Sequence, residues 1–185
     1  WNSIRLKTLT FREAYKKEIG FTDFLFYYSL FEHLPKDETV HFANSSSIRY
    51  ANLFDSKREI KAFANRGTSG IDGSTSTALG YAVASQEPTT LVTGDLSFFY
   101  DSNALWNNYI PRNFKIILLN NAGGGIFRIL PGNKNEDYFA NYFETTHDLN
   151  AKHLCEMYNI QYVEAHNQAE VDKQLPLFFE RNESP

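Results

Sequence analysis

Cysteine is almost missing from this chain. Cys155 stands alone, so no internal disulfide can form, and a reducing, cytoplasmic setting is the simple expectation. Long apolar runs are missing too. The longest, FLFYYSLF at 24–31, falls far short of the roughly 20 residues a membrane helix needs, and no signal-peptide layout precedes it. Positive charge is not in excess: the net charge is −4 and the pI about 5.7. That argues against nucleic acid or an anionic membrane as the main partner. Neither a GxGxxG fingerprint nor a GK[ST] phosphate loop occurs, which disfavours nicotinamide and P-loop chemistry. No internal repeat or low-complexity segment is found.

What is present describes a globular chain. Hydrophobic residues make up 42% of its 185 residues, with 16 Phe and 11 Tyr, enough for one domain with a sizeable core. The chain starts at Trp1 without Met and ends just after QAEVDKQLPLFFER, a helix-like run. A piece of a longer protein is therefore expected, and a piece can carry half of a site.

Two regions are expected: a helical, aromatic-rich segment at 1–38, packing on or leading into the domain, and an α/β domain at 39–185. From residue 39 the rhythm is strand, loop, helix. TVHFA ends in Asn44-Ser45-Ser46-Ser47 and IRYANLF follows as a helix. KAFAN leads to RGTSGIDG and the helix STSTALGYAVASQ. TTLVTGD leads to a helix around SFFYDSNALWNNY. KIILL ends in NNAGGG, a helix near NAKHLCEMYN leads to a fifth strand-like run, IQYVEA, and a last helix closes the chain. This predicts an α/β fold: a three-layer open, mainly parallel sheet with helices on both faces. KIILL and TLVT are continuous apolar runs, as central strands are. In such sheets ligands bind at the carboxyl ends of the strands. Those ends carry ANSSS, ANRGTSGIDG, TGDLS and LNNAGGG, all small, polar or glycine-rich. Helix N-termini face the same edge, which favours an anion.

Asp95 and Asn121 sit at two successive strand ends. A carboxylate and an amide oxygen, without Cys or His, suit Mg²⁺ or Ca²⁺ better than zinc. A Mg²⁺ with few protein ligands completes its shell with phosphate and water, and Gly123, Gly124 and Gly125 would let backbone approach a phosphate. The bland alternative is that Asp95 is a cap or turn residue.

Gly94-Asp95, then a helix, then a strand ending in Asn120-Asn121 resembles the cofactor motif of thiamine-diphosphate enzymes. ANSSSIRY, NRGTSGIDGSTST, TGDLSFFYDSNAL and NNAGGGIFRILP, in this order, resemble one branch, the MenD family of 2-succinyl-5-enolpyruvyl-6-hydroxy-3-cyclohexene-1-carboxylate (SEPHCHC) synthases. In that branch Leu after the Asp is usual, as Leu96 is here. The resemblance covers roughly residues 35–165 and points to the C-terminal thiamine-diphosphate-binding domain. It implies a transferase of menaquinone biosynthesis that decarboxylates 2-oxoglutarate and adds the succinyl unit to isochorismate. The alternative is a domain of another thiamine-diphosphate 2-oxoacid decarboxylase or carboligase. A non-catalytic α/β domain is the reading from a different class, and the intact Asp95/Asn121 pair argues against it.

Residue by residue, the resemblance places Mg²⁺ on Asp95, Asn121 and the Gly123 carbonyl. It places thiamine diphosphate near Asn44, Ser69, Ile71, Gly94, Asp95, Leu96, Ser97, Asn121, Gly123 and Ile126. The 2-oxoglutarate side-chain carboxylate falls on Ser45, Arg49 and Arg66, a sensible use of forked donors; by itself Arg49 reads rather as a solvated helix residue. Phe127 and Leu130 would line the isochorismate pocket, or simply be core, and Ile71, the family's wedge under the bent cofactor, carries the same ambiguity. No catalytic residue is expected in this chain. The activating Glu belongs to an N-terminal pyrimidine-binding domain on a second subunit, so the whole enzyme is expected to be a homodimer or homotetramer and this chain inactive alone. The loops at 65–72 and 124–140 would then be ordered by that partner.

Asp72 is expected to cap the STSTALG helix and Arg128 to point to solvent. DSKREIK at 55–61 reads as a solvated helix face. His147, His153 and Cys155 match no zinc spacing.

Overall fold

The structure, a computed structural model, describes residues 1–55, 59–132, 134 and 138–180. Two helices come first, α1 (Asn2–Glu18) and α2 (Asp23–His33). Four strands then alternate with helices: β1 (Thr39–Phe42), α3 (Ser46–Ala51), β2 (Lys61–Ala64), α4 (Ser74–Ser85), β3 (Thr89–Gly94), α5 (Asp95–Tyr100) and β4 (Phe114–Leu119). The short α6 (Ile126–Ile129), a π-helical turn at Phe139–Glu144, α7 (Lys152–Met157) and α8 (Gln168–Glu180) complete the described chain.

All pairings are parallel, in the order β2-β1-β3-β4. Successive side chains of a strand point to opposite faces, and the two faces of β3 feed two cores. Val92 joins Phe26, Tyr27, Leu30, Val40, Phe42, Val171 and Leu175 under α2 and α8. Leu91 joins Ala78, Leu79, Phe98, Leu105, Phe114 and Cys155 under α4, α5 and α7. The result is three layers around a parallel sheet. Thr89 through Thr93 are fully buried, which is why this run is continuous rather than alternating.

Local chemistry fixes the helix ends. Thr22 accepts the Leu25 N–H at the start of α2. The start of α4 is held from a distance: Asp101 accepts both the backbone N–H and the hydroxyl of Ser76, each at 2.6 Å. The expected Asp72 cap is therefore corrected; Gly73, with φ of 86°, occupies the N-cap position and no side chain caps from there. The long helix expected around SFFYDSNALWNNY is broken at Asp101 into α5 and a 3-10 turn at Ser102–Leu105.

Two strand expectations also change. KIILL belongs to β4, which among the described residues is an edge strand, half-exposed from Ile116 to Leu119. IQYVEA at 160–165 pairs with no described strand; an apolar cavity of about 600 Å³ is lined by this run, by β4, and by Phe26, Phe98 and Leu175. In DSKREIK, residues 56–58 lie outside the described residues. Glu59 and Ile60 are not helical, and Lys61 opens β2, where its ammonium meets Glu87 at 2.8 Å.

α1 has no buried residue. It is tied on through Arg5 to Asp55 and through Arg12 to the Leu53 carbonyl.

Candidate cofactor and metal site

Because the strands are parallel, their carboxyl ends share one edge, and backbone conformation there is unusual. Ser45, Ser69 and Ala122 adopt φ of 71°, 61° and 63°, and Gly123 adopts 147°. Non-glycine residues in this region cost free energy and concentrate at functional edges.

Asp95 is the centre of the edge. It follows Gly94 at the end of β3, opens α5, and is 2% exposed. Its Oδ1 accepts the Leu96 N–H at 2.7 Å and its Oδ2 the Gly123 N–H at 2.9 Å. Its described hydrogen-bond partners are thus backbone amides. His147 Nε2 also lies 3.3 Å from Oδ2.

The loop after β4 is built against this carboxylate. Asn120 accepts the Ala122 N–H and donates to the Leu149 carbonyl, so it shapes the turn. Asn121 is exposed and its amide makes no hydrogen bond to a described residue; it lies over Gly125, where an added Cβ would meet its Nδ2 at 3.1 Å. At Gly123 an added Cβ would meet the Glu144 carbonyl oxygen at 2.7 Å. The same carbonyl accepts the Gly124 N–H.

The neighbouring ends form a second group. Asn44 donates to the Ser69 carbonyl, and the Arg66 guanidinium to the Ser69 hydroxyl. Ser97 donates to the Ile71 carbonyl at 2.5 Å and lies 3.1 Å from the Ser74 hydroxyl. Asn44, Arg66 and Ser69 thus meet, as do Ile71 and Ser97. Arg49 stands exposed on α3, whose N-cap is Ser45, and makes no side-chain bond to a described residue. Ile126, Phe127 and Leu130 follow the glycine loop. Phe127 packs edge-on to Phe143 with ring centroids 5.8 Å apart, and Leu130 is 39% exposed.

Arg128 is exposed, as expected, but also forms a two-pronged ion pair with the buried Glu144. A buried carboxylate demands such a partner. Three residues near Asp95 were not singled out as site residues from sequence. Glu144 and His147 come from a distant turn and carry no local motif. Asp23 is the third: its carboxyl is pushed up by burial and then by the Asp95 charge. Asp23 lines the 600 Å³ cavity together with Asn120 and Asn121. His147, His153 and Cys155 are separated: His153 lies on the surface beside Glu156 and Cys155 is on the buried face of α7. Among the described residues no three His, Cys, Asp or Glu groups could hold a metal together. Any cation at Asp95 must draw on amide, carbonyl, phosphate or water oxygens.

A parallel α/β sheet with a buried carboxylate and a glycine loop at its carboxyl edge defines a cofactor-binding domain. The chain belongs to the family described as the C-terminal TPP binding domain of thiamine pyrophosphate enzymes, whose model matches residues 44–184. Among curated proteins it is similar to three named 2-succinyl-5-enolpyruvyl-6-hydroxy-3-cyclohexene-1-carboxylate synthase. The one from Christiangramia forsetii is 56% identical over 94% of this chain and 30% of the relative. That from Flavobacterium johnsoniae is 53% identical over 94% and 31%, and that from Porphyromonas gingivalis 36% over 97% and 31%. The chain thus spans about three tenths of the length of these relatives. None of its described helices is long and apolar enough to cross a membrane.

Proposed function

We propose that this chain is the diphosphate- and Mg²⁺-binding domain of a thiamine-diphosphate-dependent SEPHCHC synthase, acting on 2-oxoglutarate and isochorismate in menaquinone biosynthesis. The observation that carries the reading is the buried Asp95 carboxylate, tied to the Gly123 amide with Asn121 exposed beside it. The names of the relatives support the reaction.

The donor set fits Mg²⁺. Asp95 would give a carboxylate oxygen, Asn121 its amide oxygen and Gly123 its carbonyl; all are hard oxygen donors. The Gly123 carbonyl accepts the Gly125 N–H at 3.0 Å, which leaves its second lone pair for a cation. Bound thiamine diphosphate supplies carbanion stabilisation, the chemistry that decarboxylation of a 2-oxoacid requires.

The chain's own residues bind and orient. Asn44, Ser69, Ile71, Gly94, Leu96, Ser97 and Ile126 would surround the cofactor. Ser45, Arg49 and Arg66 would take the substrate's side-chain carboxylate, a task for which guanidinium groups are suited. Phe127 and Leu130 would offer apolar surface to the cyclic acceptor. The activating Glu would come from a pyrimidine-binding domain of a second subunit, so the working enzyme would be a homodimer or homotetramer in the cytoplasm.

The test is CO₂ release from 2-oxoglutarate by the intact native polypeptide, with thiamine diphosphate and Mg²⁺, with and without isochorismate. Coupled turnover that requires both substrates is expected. Decarboxylation of another oxoacid, indifferent to isochorismate, would overturn the substrate assignment and leave Asp95 and Asn121 as the metal-binding pair.

A further inference from the structure

We infer that His147 is a positioning residue for the metal site, holding the Asp95 carboxylate in place through its Nε2. The inference rests on the reading of Asp95 as a metal ligand.

Four observations converge. The Leu149 backbone N–H donates to His147 Nδ1 at 3.1 Å. A nitrogen that accepts a hydrogen bond carries no proton, so in the neutral ring the proton is on Nε2. Nε2 lies 3.3 Å from Asp95 Oδ2, and the two side chains are only 11% and 4% exposed. Nε2 is shut off from solvent and has no aligned hydrogen-bond partner, so Asp95 is the acceptor within reach once either side chain turns slightly. The ring itself is fixed. Phe99 meets it edge-on at 5.5 Å and 89°, and the His147 backbone N–H donates to the Ala122 carbonyl at 3.3 Å.

The consequence is a three-sided clamp on one carboxylate. Leu96 N–H holds Oδ1 and Gly123 N–H holds Oδ2; a small turn would bring His147 Nε2–H, 3.3 Å away, onto Oδ2 as the third side. The carboxylate keeps free lone pairs, but its rotation about χ2 is fixed. It is then presented at one angle to a cation shared with Asn121. Outer partners of this kind tune metal affinity through the ligand they orient. The link to Ala122 also makes the glycine loop and the carboxylate move together. The Asp23 carboxyl is pushed up by burial and then by the Asp95 charge; an Nε2–H donor at His147 orients Asp95 without competing for the cation.

The experiment is a Mg²⁺ titration of thiamine-diphosphate binding, by calorimetry, on the intact native polypeptide and its variants. In His147→Gln the side-chain amide reaches where Nε2 lies; in His147→Asn it stops near Nδ1. His147→Asn is expected to bind Mg²⁺ about 10- to 100-fold more weakly, the range for loss of an outer partner, and His147→Gln to recover most of it. Equal affinity in wild type and His147→Asn would overturn the proposal, as would equal loss in both variants, since that would mean packing rather than a donor. Asp95→Ala is the separate control. If it keeps Mg²⁺-dependent cofactor binding, the reading of Asp95 itself fails.

Discussion

At Gly123 the backbone geometry and the site chemistry meet in one residue. Its φ of 147° is one L side chains rarely adopt, and a Cβ there would lie 2.7 Å from a backbone oxygen of Glu144. Gly132 is a natural comparison, with φ of 151° and nothing within 4 Å of an added Cβ. Gly132→Ala therefore reports conformational cost alone, about 1 kcal/mol. Gly123→Ala adds a collision with backbone that cannot rotate away, and is expected to cost about 2–4 kcal/mol. Urea unfolding of the two variants checks this; equal costs would show that the loop yields at Gly123. The metal role proposed for the Gly123 carbonyl comes only with the family resemblance, whereas Asp95 and Asn121 were candidates in the sequence because each sits at a strand end where its chemistry is unusual. Glu144 and His147 were not, because their positions depend on how a π-helical turn folds back onto the glycine loop.

At the scale of one strand, β1 carries a titratable group where none can be solvated. His41 is 3% exposed and packed between Phe63 of β2 and Tyr81 of α4, each ring centroid 5.0 Å away. Its Nε2 has no hydrogen-bond partner. Burial lowers its pKa from 6.5 to about 4. Between those values the unfolded chain binds a proton that the folded chain refuses, so this contribution to stability is complete above pH 6.5 and is lost as pH falls toward 4. From pH 7 to pH 5 the loss is about 2 kcal/mol. His41→Phe should remove that much of the acid-side decline, read as the difference in urea midpoints between the two pH values; a decline as steep as in wild type would show that His41 protonates without unfolding. At this scale the sequence was legible where a run is buried on both faces, as in TTLVTG. KIILL is the strand expected, though at the described edge rather than the centre; IQYVEA pairs with no described strand. An apolar strand-like run looks the same whether or not a neighbour pairs with it, since pairing is a property of distant chain.

The whole sheet is asymmetric, and its dynamics should follow. Among the described residues β1 and β3 have strands on both sides, whereas β2 and β4 have one. All four residues of β2 are exposed, and the far side of β4 opens on the 600 Å³ cavity. Alternate amides of a parallel strand point to opposite neighbours. Half the amides of Phe114–Leu119 therefore face β3, and the other half face the cavity. Hydrogen exchange of the 185-residue chain should separate these sets. Both sets in Thr89–Gly94 should exchange only through global unfolding, and the cavity-facing amides of β4 through local opening, several kcal/mol cheaper. The site straddles this boundary, because Asp95 stands at the end of the protected strand and Asn121 at the end of the exposed one. If the two strands are equally protected, the β4 edge has a partner and the metal site rests on a uniformly rigid base. If protection falls from β3 to β4 as expected, Asn121 is the mobile half of the Asp95–Asn121 pair, and a bound cation would slow exchange in β4 more than in β3.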